Sequence, residues 1–115
     1  MKISVITLTN NSIVSIKETI KSIKSQTYKN IEKIWIDNRS KDGTLEFLKT
    51  NQDKKTILIS EKDNGIVDAF NKGIKMATGE IIGFLHSDDK FYDKNVLKNI
   101  AKEFKNTNIN LVYGD

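Results

Sequence analysis

The sequence predicts an α/β domain with a mainly parallel sheet and helices on both faces. Short apolar runs rich in β-branched residues alternate with segments in which apolar residues recur at helical spacing. Turn-forming residues separate the segments, and such alternation requires right-handed crossovers that cover both faces of a parallel sheet. The 115 residues, of which 37% are apolar, suffice for one such domain and leave no room for a second.

Five strands and four helices are predicted, in the order βαβαβαβαβ. Residues 34–36 are apolar in succession, which is typical of a strand covered on both faces. Asn11 or Ser12 can cap the first helix, and Gly43 precedes the second. The predicted strands are residues 3–9, 31–37, 56–60, 80–86 and 111–113. The predicted helices run from the cap to about residue 25 and over residues 44–49, 66–77 and 95–104.

The net charge of +4 comes from eighteen lysines and one arginine. Lys17, Lys21 and Lys24 recur beside an apolar series, as on the solvated side of an amphipathic helix. A patch for a membrane surface or a partner is the alternative interpretation. Nucleic acid is disfavoured as a partner, because lysine without arginine or interleaved aromatic residues reads bases poorly.

Neither disulfides nor cysteine metal sites can form, because the chain has no cysteine. No stretch approaches the roughly 20 apolar residues of a membrane helix. The lack of cysteine does not distinguish one compartment from another, so the cytoplasm is taken as the default location, with peripheral association at the inner face of the membrane as the alternative.

Polar residues follow four of the predicted strands. They lie at residues 10–11, 37–42, 61–64 and 87–89. The carboxyl ends of parallel strands meet at one edge of a sheet, where α/β proteins bind their ligands. The sequence therefore predicts a binding site at this edge.

The triplet Ser87-Asp88-Asp89 places two adjacent carboxylates at the exit of an apolar strand. Hard cations such as Mg²⁺ and Mn²⁺ take one or two carboxylates from a protein and complete their shell with phosphate oxygens and water. A turn or helix cap is the alternative, but the neighbouring polar clusters favour a metal. His86, the only histidine, is expected to be packed or hydrogen-bonded rather than catalytic.

The sequence motifs that define several other classes of protein are absent from this chain. The chain contains neither the GxGxxG nor the GxxxxGK[ST] phosphate-binding pattern and no serine in a nucleophile elbow. A receiver-like signalling domain would need an aspartate at the end of the third strand, where this chain has Ser60.

Together these segments resemble the inverting glycosyltransferases of family two, which have the Rossmann-like GT-A fold. The likeness covers nearly the whole chain. It departs from many members at Asn38, where they have an acid, and at Phe70, where they have arginine. The segments that carry it are 3–9 with Asn11, 25–28, 35–37 through Ser40, Asp42, Gly43 and Thr44, 64–65 through 71–73, 77–80 and 84–89.

The resemblance implies a nucleotide-diphospho-sugar donor, with a UDP-sugar favoured. It implies Mg²⁺ or Mn²⁺ as the cofactor, bound by Asp89. The residues that it implies for nucleotide-sugar binding are Thr9, Asn11, Asp37, Asn38, Asp63, Asn71 and Asp88.

The implied reaction is a single in-line displacement that inverts the anomeric carbon. The acceptor would be a saccharide or a lipid-linked saccharide, in the synthesis of a polysaccharide or cell-surface glycan. The family's general base would lie beyond Asp115, and the chain stops directly after a strand. We therefore expect residues 1–115 to be the N-terminal, donor-binding part of a truncated domain, without the acceptor-binding part. A non-catalytic nucleotide-sugar-binding module is the alternative.

Overall fold

The computed structural model describes residues 1–104 and a strand at residues 112–114. The strands are β1 (Ile3–Thr9), β2 (Ile31–Asp37), β3 (Thr56–Ser60), β4 (Ile81–Phe84) and β5 (Val112–Gly114). The helices are α1 (Ile13–Lys24), α2 (Thr44–Thr50), α3 (Ile66–Met76) and α4 (Val96–Phe104). All neighbouring strands pair in parallel, in the order β3-β2-β1-β4-β5. The predicted fold class is confirmed.

The core lies on both faces of the sheet because strand side chains alternate. Ile3, Val5 and Trp35 point to one face, where they pack with buried residues of α1, α2 and α4. Ile6 and Ile34 point to the other face, where they pack with Ala69 of α3. β1 is central and pairs with β2 along its whole length, so that Thr9 lies opposite Asp37. This register aligns the ends of the two strands at one edge.

The predicted bounds of β4 and the predicted capping of α1 differ from the structure. β4 stops at Phe84, so Leu85 and His86 lie outside the strand, although the Leu85 amide still donates to the Ile6 carbonyl at 2.9 Å. Ser12 occupies the cap position of α1 without a capping side-chain bond. Asp42, from the loop after β2, accepts from the Ile13 amide at 3.0 Å instead.

No helix in the described part of the chain combines the length and the apolar character that a membrane span requires.

A buried glutamate joins β1, β2 and the segment before β4. Glu32 is 8% exposed, and its carboxylate accepts from the Ser4 hydroxyl and from the amide and hydroxyl of Thr78, each at 2.9 Å. The Ser4 hydroxyl also accepts from the Gly79 amide at 2.9 Å. A Cβ at Gly79 would lie 2.7 Å from the Ser4 backbone nitrogen, so this close approach requires glycine. Burial opposes ionisation of Glu32, but the bonds from Thr78 and Ser4, with the charge of Lys2, lower its pKa overall.

Glu32→Gln should lower the free energy of unfolding at pH 7 by roughly 1 kcal/mol, the difference between hydrogen bonds to a charged and to a neutral acceptor. Because the folded-state pKa of Glu32 lies below its ordinary value of 4.5, its stabilising effect is present above that value and is lost as pH falls through the folded-state pKa. Urea unfolding of both proteins from pH 7 to pH 3 should show the gap closing. A gap that stays constant with pH would contradict this role, and Glu46→Gln, at an exposed position of α2, is the control.

Candidate functional site

A cavity of about 380 Å³ opens at the carboxyl edge of the sheet. Its walls come from the segments that follow β1, β2, β3 and β4, where the sequence places its polar clusters. Apolar side chains of β1 and α3 form one wall, and polar groups form the rest. The lining residues are Leu8, Thr9, Asn10, Ser12, Asn38, Asp63, Gly65, Ile66, Ala69, His86 and Ser87.

Three of the residues assigned to the nucleotide sugar meet in this cavity. Thr9, Asn38 and Asp63 all line it. The Asn38 amide donates to the Thr9 carbonyl at 2.9 Å, and its side-chain oxygen accepts from the Asp63 amide at 3.2 Å. Asn38 therefore links the loop after β2 to the end of β1 and to the loop after β3. Because its side-chain oxygen is already an acceptor for Asp63, the side chain would donate to a ligand through Nδ2.

Asp37 lies under the cavity and is fully buried. Its Oδ1 accepts from the hydroxyls of Thr9 and Ser40, both at 2.6 Å. Its Oδ2 accepts from the Ser40 amide at 2.9 Å and from the Ser60 hydroxyl at 2.8 Å. These four bonds match the acceptor positions of a carboxylate. In this structure the side chain holds three loops together, and its assignment to the nucleoside stays a prediction.

Asn11 and Asn71 are not brought into the cavity. Asn11 is exposed with a positive φ of 49°, and its side chain accepts from the Lys41 amide at 2.7 Å. This contact fastens the loop after β1 to the loop after β2. Asn71 is exposed on α3. Their assignment to the donor stays a prediction.

The acidic triplet lies between two depressions. Ser87 lines the main cavity, whereas Asp88 and Asp89 line a neighbouring depression of about 250 Å³ together with Glu18 and Thr19 of α1. The buried Thr19 hydroxyl lies 2.9 Å from the Ser87 carbonyl and 2.5 Å from the Asp89 carbonyl. α1 therefore positions the backbone that carries both aspartates.

The oxygen-rich character of this loop fits a hard divalent cation. Within the described residues, no three histidine, cysteine or acidic side chains converge on one point as a metal cage requires. Asp88 and Asp89 could supply one or two carboxylate oxygens, and an ion bound there would take its other ligands from a diphosphate and water. This is the ligand arrangement that Mg²⁺ prefers at phosphate sites.

Sequence reasoning missed several residues of the site. His86 is exposed on the cavity wall. The expectation that this side chain is packed is therefore wrong. Ser12 lines the cavity and its hydroxyl lies 3.0 Å from that of Ser87. Asp42 accepts from the Thr44 amide two residues later, at 3.0 Å, a local turn signal visible in the sequence. Nothing in the local sequence indicates its hydrogen bond with the Ile13 amide at the start of α1.

Residues 4–115 match the protein family described as Glycosyl transferase family 2. The chain belongs to this family. An uncharacterised glycosyltransferase of Mycobacterium tuberculosis is 38% identical to this family 2 chain over 96 residues. The alignment covers 83% of this chain and 37% of that relative.

Solved structures show the same GT-A fold. Staphylococcus aureus TarS, residues 1–349, in complex with UDP-GlcNAc, superposes with a TM-score of 0.84 at 30% identity, over 91% of this chain and 31% of that one. The mannosyltransferase PcManGT of Pyrobaculum calidifontis, in complex with GDP-Man and Mn²⁺, superposes with a TM-score of 0.81 at 27% identity, over 92% of this chain and 33% of that one. The family 2 chain therefore spans between three and four tenths of each protein.

The residue at position 70 has a structural role. Phe70 of α3 packs edge-on against Phe84 of β4, with ring centroids 4.6 Å apart and an interplanar angle of 81°. In this family 2 domain, position 70 therefore contributes to the packing of α3 on the sheet.

Asp37→Ala should lower the free energy of unfolding by about 2 to 4 kcal/mol, because it leaves a buried amide and three hydroxyls without their acceptor. Asp37→Asn should cost less, since the amide oxygen can still accept from the Ser40 amide. Urea denaturation of the three proteins measures this order. Equal stability of the alanine variant and the parent would show that Asp37 does not hold the loops.

Thr19→Val should loosen the acidic triplet, because it removes the hydroxyl that the Ser87 and Asp89 carbonyls face while keeping the side-chain shape. The Asp89 amide, which donates to the His86 carbonyl at 3.0 Å, should exchange its hydrogen faster, by about tenfold for a local loss of 1.4 kcal/mol. Thr19→Ser, which keeps the hydroxyl, is the matched control. Unchanged exchange in the valine variant would remove Thr19 from this role.

Proposed function

We propose that this chain is the donor-binding domain of a metal-dependent, inverting glycosyltransferase. The observation that carries the proposal is the cavity at the carboxyl edge, in which Thr9, Asn38 and Asp63 meet beside the acidic triplet. Support comes from the structural neighbours, because TarS is in complex with UDP-GlcNAc and PcManGT is in complex with GDP-Man and Mn²⁺. A cavity of about 380 Å³ is also within the usual size range of small-molecule sites.

The nucleoside of the donor would occupy this cavity. Asn38 offers a donor and Asp63 an acceptor to the polar edge of a base or to ribose hydroxyls. Leu8, Ile66 and Ala69 give an apolar wall against which the base would pack. We favour a UDP-sugar as the donor, with Asn11 and Asn71 as outer contacts.

The diphosphate would extend from the nucleoside towards the acidic triplet. Asp88 would lie near the ribose, and Asp89 would hold Mg²⁺ or Mn²⁺. When bound, such an ion neutralises the charge that develops on the departing nucleoside diphosphate. The protein supplies the orientation, since Thr19 and Ser12 fix the loop that carries both acids.

The acceptor would be a saccharide or a lipid-linked saccharide used in polysaccharide or cell-surface glycan synthesis. We propose that the general base, which deprotonates the acceptor hydroxyl, comes from a segment later than Asp115. Asp115 itself lies outside the described part of the chain. Residues 1–115 would then bind donor without transferring the sugar. A cytoplasmic location, at or near the inner face of the membrane, would bring this site to a lipid-linked acceptor.

Asp89→Asn should abolish the increase in UDP affinity that Mn²⁺ causes, because the substitution removes the charge that a divalent ion requires. The melting temperature should stay constant or rise slightly, since one of two adjacent negative charges is lost. Isothermal titration calorimetry with UDP, with and without Mn²⁺, on both proteins gives the comparison. Glu46→Gln removes one exposed carboxylate from α2, away from the cavity, and should behave like the parent.

Equal Mn²⁺ enhancement in the Asp89→Asn variant and the parent would leave the acidic pair as a turn. GDP provides a second comparison in the same instrument. Tighter binding of GDP than of UDP would overturn the preference for a uridine donor while leaving the metal assignment standing.

A further inference from the structure

A second cavity, of about 440 Å³, lies at the opposite, amino-terminal edge of the sheet. It is formed where α1 ends, where β2 begins and where the chain enters β3. Lys24, Lys29, Lys33 and Lys55 line it, and Asp53 is the single acid among the lining residues. Ile31 and Lys33 of β2 line this cavity, and Asp37 at the carboxyl edge lies four residues beyond Lys33, about 13 Å away at 3.3 Å per residue.

The acid in this cavity is already paired with a lysine. Asp53 pairs with the Lys33 ammonium at 2.6 Å, and the Lys33 side chain is only 10% exposed. Burial opposes ionisation of Asp53, but bonds from Lys33, the Lys55 amide and the Thr56 hydroxyl lower its pKa to about 2. The carboxylate is therefore charged at neutral pH and committed to Lys33.

The other three lysines have no such partner in the described residues. Lys29 Nζ lies 3.4 Å from the Lys24 carbonyl, and Lys55 Nζ lies 3.2 Å from the Lys29 carbonyl. Within residues 1–104, neither they nor Lys24 forms an ion pair. Four lysines and one aspartate leave the lining with a net charge of +3.

A helix terminus does not account for this charge. Lys24 lies in the last turn of α1, where a cation is favoured, but Lys29 and Lys55 lie in connecting segments. Three positive charges around one cavity repel one another and favour a multiply charged anion. Lysine commonly binds phosphate as a point charge.

We propose that this cavity binds the phosphate group of a phosphate ester, either a soluble one or a lipid headgroup. Lys24, Lys29 and Lys55 supply the charge, and the Lys33–Asp53 ion pair adds no net charge. Tyr28 joins the cavity to a neighbouring, largely apolar depression that contains Met1, Lys98 and Lys102. The organic part of a phosphate ester would lie against this second depression. The site is independent of the proposed donor site.

Two titrations test the proposal in metal-free buffer of low ionic strength. The first adds inorganic phosphate to ¹⁵N-labelled protein, and we expect amide shifts at Lys29, Ile31 and Lys55. The second measures cosedimentation with vesicles of phosphatidylcholine, with and without phosphatidylglycerol. Both are repeated on Lys29→Gln/Lys55→Gln and on a control of equal net charge, Lys17→Gln/Lys21→Gln, whose positions are exposed on α1 outside the cavity.

The cavity variant should lose at least tenfold in affinity, while the control stays within about twofold of the parent. Lysine-dependent binding to phosphatidylglycerol vesicles would assign a lipid headgroup, and phosphate binding without vesicle binding would assign a soluble ester. Binding of neither probe, or an equal loss in the control variant, would overturn the proposal. UDP affinity should be unchanged in the cavity variant, so the outcome is separate from that of the donor site.

Discussion

Asp37 ends β2 with a carboxylate that solvent does not reach, and the loops at the carboxyl edge are arranged around it. Hydroxyls from the ends of β1 and β3 and from the loop after β2 all donate to its two oxygens. A buried charge is costly unless donors surround it, and here hydroxyls and one backbone amide provide them. The same bonds fix the spacing of three strand ends, so the cavity above Asp37 has a defined shape.

A second set of contacts extends this order to the acidic triplet. Asp42, from the loop after β2, fixes the start of α1 by accepting from the Ile13 amide. Thr19, two turns along α1, then contacts the carbonyls of Ser87 and Asp89. The proposed nucleoside end and the proposed metal end of the site are therefore joined through the first helix. The loop after β2 and the loop that carries Asp88 and Asp89 are therefore both held in place by contacts with α1.

The two edges of the sheet differ in their chemistry. The carboxyl edge presents acids and amides around the main cavity, whereas the amino-terminal edge presents lysines around a second one. The positive net charge of the chain is thus partly concentrated away from the acidic triplet. If a phosphate-bearing surface occupies the lysine-lined cavity, the proposed donor site would lie at the opposite edge of the sheet, facing away from that surface.

The sequence by itself determined the fold class and the bounds of the first three strands, residues 3–9, 31–37 and 56–60. These follow from local spacing of apolar residues, which fixes the buried faces and therefore the register. It also located the polar clusters at the edge where the cavity lies. Only the tertiary structure decided which of those residues share a surface. Ser12 and Ser87 meet across 75 positions, and Asp42 reaches Ile13 across 29. Such contacts depend on the paths of several loops at once, and local spacing carries no information about them.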